Sequence, residues 1–226
     1  MEKDSKKIVL FGDGPFAEIA YEYFTHDSPW EVAAFSLDRE YIKRNTLFGL
    51  PVVPFDEIET RFPPSRYKAY TAFTYNSLNR LRTRFYMEAK KKGYTFVNYV
   101  SSRAFVWPNV SMGENNFIFE NNVVQPFVKL GNNIVLWSGN HIGHHSTIDD
   151  NCFIASHVVI SGFCHIGNSS FLGVNCTIIN NITVGRDNLI GAGVTIAHNT
   201  ENDKIYGAET AQAKKRPAKA YFKVSE

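Results

Sequence analysis

No run of about 18 apolar residues occurs anywhere in this chain, which excludes a helix crossing a membrane. An excess of charge of one sign is also missing. The 24 Lys and Arg against 22 Asp and Glu leave a formal charge of +2, too little to imply nucleic acid or a membrane as partner. Cysteine is scarce, at Cys152, Cys164 and Cys176 only. An odd count, behind a start (Met1-Glu2-Lys3-Asp4-Ser5-Lys6-Lys7) with no signal-peptide core, predicts a reduced, cytoplasmic protein. What remains is ordinary: 226 residues, 44% hydrophobic and 20% charged, enough for one large or two small globular domains. Lys214, Lys215, Arg216 and Lys219 cluster near the end and suit either a solvated tail or a contact with a phosphorylated ligand.

The feature that decides the architecture is a repeat. Stepping by six from Val106 gives Met112, Ile118, Val124, Leu130, Leu136, Ile142, Ile148, Ile154, Ile160, Ile166, Leu172, Ile178, Val184, Ile190 and Ile196. Every position is apolar, and neither the helix period of 3.6 nor the strand period of 2 generates that. A hexapeptide period predicts a parallel β-helix of triangular section, with three repeats to a coil and coils about 4.8 Å apart. Two residues before each aliphatic lies a second inward site, holding Val128, Ile134, Ser146, Val158, Ser170 and all three cysteines. The cysteines therefore read as small core residues. Three residues after each aliphatic come Asn115, Asn121, Asn133, Gly139, Asn151, Asn175, Asn181, Asp187, Gly193 and Asn199. Asn, Asp and Gly tolerate positive φ, so this column marks the corners.

The outward residue before each aliphatic separates the faces. One face carries Phe117, Val135, Phe153, Phe171 and Leu189, an apolar stripe that predicts subunit contact. Another carries Lys129, Thr147, His165 and Thr183 and reads as wet.

The first hundred residues have a different pattern. Ile8 to Gly12 reads as a buried strand, followed by Asp13-Gly14-Pro15 and an amphipathic helix from Phe16 to Phe24, the opening of a Rossmann-like βαβ unit. Strands are predicted at 31–35 and 68–73, a helix at 78–92 and a last strand at 94–100. The boundary is placed at 100: a Rossmann-like domain over 1–100 and a β-helix with a C-terminal tail over 101–226. Gly12-x-Gly14 is a fragment of the dinucleotide fingerprint, which does not suit NAD. It fits either a nucleotide at the helix N-terminus or a plain tight turn. Asp38 is either an acceptor for a base or ribose, or a loop carboxylate.

A small Rossmann-like domain followed by a hexapeptide β-helix resembles the bacterial sugar acyltransferases of the sialic-acid O-acetyltransferase and bacillosamine N-acetyltransferase type, over nearly the whole chain. The resemblance implies a left-handed helix and a homotrimer. It further implies a sugar nucleotide held by the first domain and acetyl-CoA, as co-substrate, lying between neighbouring β-helices. The relatives' Ile-x-His-x-x-x-Ile segment matches Ile142-Gly143-His144-His145-Ser146-Thr147-Ile148 and implies His144 as general base. Acetyl-CoA contacts then fall on Phe153, Val174 and Ala192, and acceptor contacts on Gly14, Pro15 and Phe16. Two departures stand out: the turn reads Gly14-Pro15-Phe16 where relatives have Gly-Gly-His, and His145 replaces a Glu that raises the basicity of the catalytic His.

Acetyl transfer to an amine or hydroxyl needs one group to take a proton, and imidazole suits that near neutrality. His165 lies on the wet face, His145 and His157 fall in the corner column, and His198 is three coils from His144. The catalytic candidates are therefore His144 with His145 beside it. The resulting expectation is an acetyl-CoA-dependent N-acetyltransferase of a nucleotide-linked amino sugar, serving surface polysaccharide or glycan synthesis, with no metal. A sugar O-acetyltransferase is the alternative. A γ-carbonic-anhydrase-like metal enzyme is permitted by the His-rich 141–165 stretch, though that class lacks the first domain.

Overall fold

A computed structural model of the chain describes residues 6–209, 211–213 and 215–224, so residues 1–5 and Lys214 of the basic cluster lie outside the described residues. Strands β1 (Lys7–Phe11), β2 (Glu31–Leu37), β3 (Thr46–Leu47), β4 (Leu50–Pro54) and β5 (Lys68–Thr71) form one sheet in the order β3-β4-β2-β1-β5. All pairings are parallel except the β3–β4 hairpin. Helix α1 (Pro15–His26) crosses from β1 to β2, α2 (Ile58–Arg61) is a single turn, and α3 (Arg80–Lys91) follows β5. Pro15 opens α1 because its fixed φ suits a first turn whose N–H groups have no intrahelical partner.

Two expectations for this domain need correction, and one strand was not expected. Helix α3 starts at Arg80, since Ser77, Leu78 and Asn79 all take left-handed backbone with φ of 51°, 50° and 66°. The predicted 94–100 strand reduces to a bridge between Ala69 and Phe96 and the pair Tyr99–Val100, which joins the next sheet. Strand β4 was hidden by Pro51 and Pro54, which flank its Val-Val core where a missing N–H costs little.

From Tyr99 the chain winds into a prism. Two-residue strands recur every six residues and stack in three parallel sheets, each pairing with the strand 18 residues on, as in Phe117↔Val135↔Phe153↔Phe171↔Leu189. The first prism strand therefore lies just before the expected boundary at 100. The repeated aliphatics from Ile118 to Ile190 are at most 4% exposed and form a single core column. Asn115, Asn121, Asn133, Asn151, Asn175, Asn181 and Asp187 turn the corners with φ of 57–63°, as the pattern predicts. Phe127 and Phe163 take the same conformation, which composition gave no reason to expect. The cysteines are free and buried; Cys164 Sγ donates to the Ile179 carbonyl at 3.0 Å, and burial pushes the Cys152 thiol up to about 12.

The apolar stripe is not a free surface. Phe117 and Val135 are fully buried and Phe153 is 3% exposed, all within the core of the first domain. Phe16, Phe24, Tyr70 and Tyr99 close around the Phe117 ring at centroid distances of 4.4–5.8 Å. Tyr75 covers Phe153 and Phe171. This apolar face satisfies its hydrophobic demand inside the chain, at roughly 1.5–3 kcal/mol per fully buried large side chain.

Candidate functional site

The three prism edges carry different chemistry. One edge passes through Glu120, Ser138, Ser156, Val174 and Ala192. A second passes through Pro126, His144, Gly162, Asn180 and His198, and the third through Glu114, Asn132, Asp150, Asn168 and Arg186. Between the first two edges lies a face whose outward residues are Phe105, Val123, His141, Val159, Thr177 and Thr195.

His144 is exposed, and its surroundings fix the backbone and the ring separately. Its N–H donates to Gln125 Oε1 at 2.9 Å, and its carbonyl accepts from the N–H of Phe163 at 2.9 Å. The ring lies against Gly162 on the next coil: a Cβ there would sit 2.8 Å from Cε1 and 3.0 Å from Nε2. His145, at φ 59°, brings its Nδ1 to 3.1 Å from Nδ1 of His144. Its ring stacks on Phe163 at 4.8 Å and packs on Phe127 at 4.6 Å. The other histidines are dispersed. His157 lies on the first edge, its ring within 2.5 Å of where a Cβ on Gly139 would be. His165 pairs with Asp149 at 2.8 Å on the wet face, and His198 is exposed three coils beyond His144. Among the described residues no three His, Cys, Asp or Glu side chains converge as metal ligands would.

Of the expected acetyl-CoA contacts, Val174 and Ala192 are exposed on the first edge in consecutive coils. Gly173 lets them lie close, since a Cβ there would be 2.7 Å from the Ala192 nitrogen. Phe153 differs: it is buried under Tyr75 and Trp137 and has almost no surface for a ligand. His144 and the Val174–Ala192 pair stand on different edges, so one chain does not bring them together.

At the expected nucleotide turn, Gly12 has φ 120° and a Cβ would meet the Ala72 carbonyl at 2.9 Å, so this glycine is required by the turn. Gly14 caps α1 with no side-chain hydrogen bond and open space where its Cβ would be, and its carbonyl accepts from the N–H groups of Ala17 at 2.8 Å and Glu18 at 3.1 Å. Pro15 is exposed. Phe16 is 3% exposed and packs on Tyr70, Phe117, Phe119 and Trp137, so it joins the domains and does not face the turn's open side. Asp38 is ion-paired with Arg84, which raises the arginine's pKa. The pair borders a cavity of about 440 Å³ lined also by Leu37, Tyr41, Phe73 and Phe85. Sequence reasoning missed Arg84 and Arg44. The Arg44 guanidinium donates to the Asp13 carbonyl at 3.2 Å and approaches the Asp13 and Glu18 carboxylates at 3.5 Å. Neither arginine sits in a motif: Arg84 reaches Asp38 from helix α3, and Arg44 reaches the Asp13 turn from an irregular loop.

Residues 163–198 match the bacterial transferase hexapeptide (six repeats) family. No curated protein matches the chain in sequence. Among solved structures, it is similar to a variant of perosamine N-acetyltransferase from Caulobacter crescentus, in complex with CoA and GDP-perosamine. The two are 21% identical, with 89% of this chain and 93% of that one covered at a TM-score of 0.79. It is also similar to the acetyltransferase domain of PglB from Neisseria gonorrhoeae FA1090, at 21% identity, 90% and 97% coverage and TM-score 0.81. That domain in complex with acetyl coenzyme A aligns at 19% identity, over the same shares of the two chains, with TM-score 0.80. This chain carries the hexapeptide repeat on the fold of sugar N-acetyltransferases. That fold is an α/β Rossmann-like domain followed by a left-handed parallel β-helix.

Proposed function

We propose that this chain is an acetyl-CoA-dependent N-acetyltransferase acting on a nucleotide-linked amino sugar, working in the cytoplasm in surface polysaccharide or glycan synthesis. The observation that carries the reading is His144, an exposed imidazole lying against Gly162 on the edge of a hexapeptide prism. The similar structures with CoA and GDP-perosamine, or with acetyl coenzyme A, support the same pair of substrates here.

In this reading residues 1–100 hold the acceptor and residues 101–226 the donor. Gly14 and Pro15, at the positive end of the α1 dipole, receive the diphosphate, with Arg44 as its counter-charge. Asp38 and Arg84 frame the base or ribose at the cavity beside Tyr41 and Phe73. The acceptor's neutral amine attacks the thioester carbonyl, and Nε2 of His144 takes the amine's proton as the new C–N bond forms. The tetrahedral centre collapses, the C–S bond breaks, and CoA leaves as a thiolate that is protonated to the thiol. An acceptor hydroxyl would use the same base, which is the O-acetyl alternative.

The donor groove is assigned between two copies of a homotrimer, because His144 and the Val174–Ala192 pair occupy different edges. The subunit contact falls on the face between those edges. Phe105, Trp107 and Val159 are exposed there at 52%, 43% and 39%, flanked by Phe127 and Phe163. This replaces the Phe117–Leu189 stripe, of which the first domain already covers Phe117, Val135 and Phe153.

A screen of amino-sugar nucleotides with acetyl-CoA, following release of free thiol, tests the activity. His144→Asn should lower the transfer rate by roughly 10²- to 10⁴-fold while acetyl-CoA binding stays near wild type. An active His144→Asn enzyme at saturating substrate would move the base elsewhere.

A further inference from the structure

We propose that His145 is a positioning residue: gripped between two phenyl rings, it accepts the Nδ1–H of His144 and so leaves the Nε2 lone pair of His144 free to receive a proton. This rests on the reading of His144 as the base. The two Nδ1 atoms are 3.1 Å apart, and two neutral imidazoles make that bond only when one ring carries its hydrogen on Nδ1 and the other does not. A neutral histidine left to itself in water favours the Nε2–H tautomer, in which Nε2 has no lone pair to offer. An acceptor at Nδ1 reverses that choice, because the hydrogen made on one ring nitrogen sets the state of the other.

The structure shows why His145 can serve as that acceptor. Its corner places the side chain outward at φ 59°, and Phe127 and Phe163, one coil before and one coil after, share the conformation at 65° and 58°. The three rings form a ladder along the edge, with His145 nearly parallel to Phe163 at 17° and tilted by 30° to Phe127. The His144 ring stands perpendicular to both His145 and Phe163, at 88° to each, so the Nδ1 edge of one imidazole meets that of the other. Left-handed backbone is uncommon for a bulky aromatic. Elsewhere on this edge Asn181 takes it, and the two phenylalanines occupy it on either side of His145. Orientation that relatives obtain from a carboxylate comes here from a clamped neutral ring. During transfer His144 becomes imidazolium and keeps its Nδ1–H on His145; no second proton moves.

The test is His145→Phe in the full-length protein. It would place a third phenyl in a ladder that already accepts two at the same backbone angle, keeping the fold and removing the nitrogen. With ¹⁵N-histidine labelling, nitrogen shifts of the neutral form should show His144 with hydrogen on Nδ1 in the wild type and mainly on Nε2 in the variant. The His144→Asn spectrum assigns the signal. With the acceptor found by the screen, kcat should fall by about tenfold or more while KM for both substrates holds, as for an interaction that matters only in the chemical step. Unchanged nitrogen shifts and unchanged kcat in His145→Phe would overturn the proposal and leave His144 as base. Full activity in His144→Asn would instead remove the base assignment itself.

Discussion

The Tyr99 hydroxyl donates to Asp27 Oδ2 across 2.6 Å, tying the end of α1 to the first strand of the prism. Ser101 Oγ and the Ser102 N–H donate to the same oxygen. Two more carboxylates span the seam: Glu114 accepts from Tyr86 and pairs with Lys90, and Glu120 accepts from Tyr23 and Ser138.

These three carboxylates predict how stability depends on pH. Burial alone would raise each of them, but the hydrogen bonds, with Lys90 for Glu114, outweigh it and hold all three below the usual carboxylate range. A folded-state value below the unfolded one means stability that is present above the unfolded pKa and lost as pH falls through the folded one. The thermal midpoint should therefore hold from neutrality to about pH 5 and drop progressively below about pH 4, where unfolded carboxylates protonate. Tyr99→Phe should lower the midpoint at neutral pH and reduce the size of the acid drop. A midpoint flat to pH 3 would show that these bonds do not hold the seam.

The prism was legible because its rule is one-dimensional: one aliphatic in six, with a turn residue three later, dictates the core and corners without knowledge of any distant contact. The interdomain seam was not legible. Phe117, Phe153 and Phe171 look alike whether a neighbouring subunit or the chain's own first domain covers them, and only the three-dimensional path of α1 and the loop at Tyr75 decides. The candidate site divides in the same way. The surroundings of His144 follow from the repeat, since Gly162 and Phe163 are its next-coil neighbours. The two arginines of the first domain do not, since Arg44 reaches Asp13 across an irregular loop with no periodicity to read.

Gly162 should be as sensitive as a site residue although it has no chemistry. Its backbone is not in the left-handed region, so Ala costs little there in conformation. The methyl would, however, fall 2.8 Å from Cε1 and 3.0 Å from Nε2 of His144, and the ring has to swing away. Gly162→Ala should keep the thermal midpoint within a few degrees and lower kcat by about tenfold or more, as expected when a base is misplaced. A variant with normal kcat would mean that the ring position seen here is not the working one.

The exposed face between the two edges gives a direct test of assembly. Val159 lies near its centre, paired with His141 on the coil before and Thr177 on the coil after. Its side chain points away from the prism core, so Val159→Arg should leave the coils folded, with unchanged circular dichroism. Sedimentation should shift from the proposed trimer toward monomer, and activity should fall with it, because the proposed donor groove lies between two copies. Trimers that persist in this variant would place the contact on another face.

A substitution at Arg44 tests the proposed division between acceptor binding and donor binding. Its guanidinium lies over the Asp13–Gly14 turn, held by the Asp13 carbonyl and two carboxylates at 3.5 Å, and nearly half of the side chain is exposed. If this turn receives the proposed diphosphate, the two carboxylates beside it would repel the ligand, and Arg44 is the cation that would offset them. Surface ion pairs of this kind contribute little to folding, so Arg44→Ala should leave stability nearly unchanged. A charge-assisted bond to a phosphate oxygen is stronger, and its loss should raise KM for the sugar nucleotide by about tenfold, equivalent to ~1.4 kcal/mol. KM for acetyl-CoA and kcat at saturation should hold, since this contact is equally present before and during the chemical step. A rise in the acetyl-CoA KM instead would put the donor, and not the acceptor, at this turn.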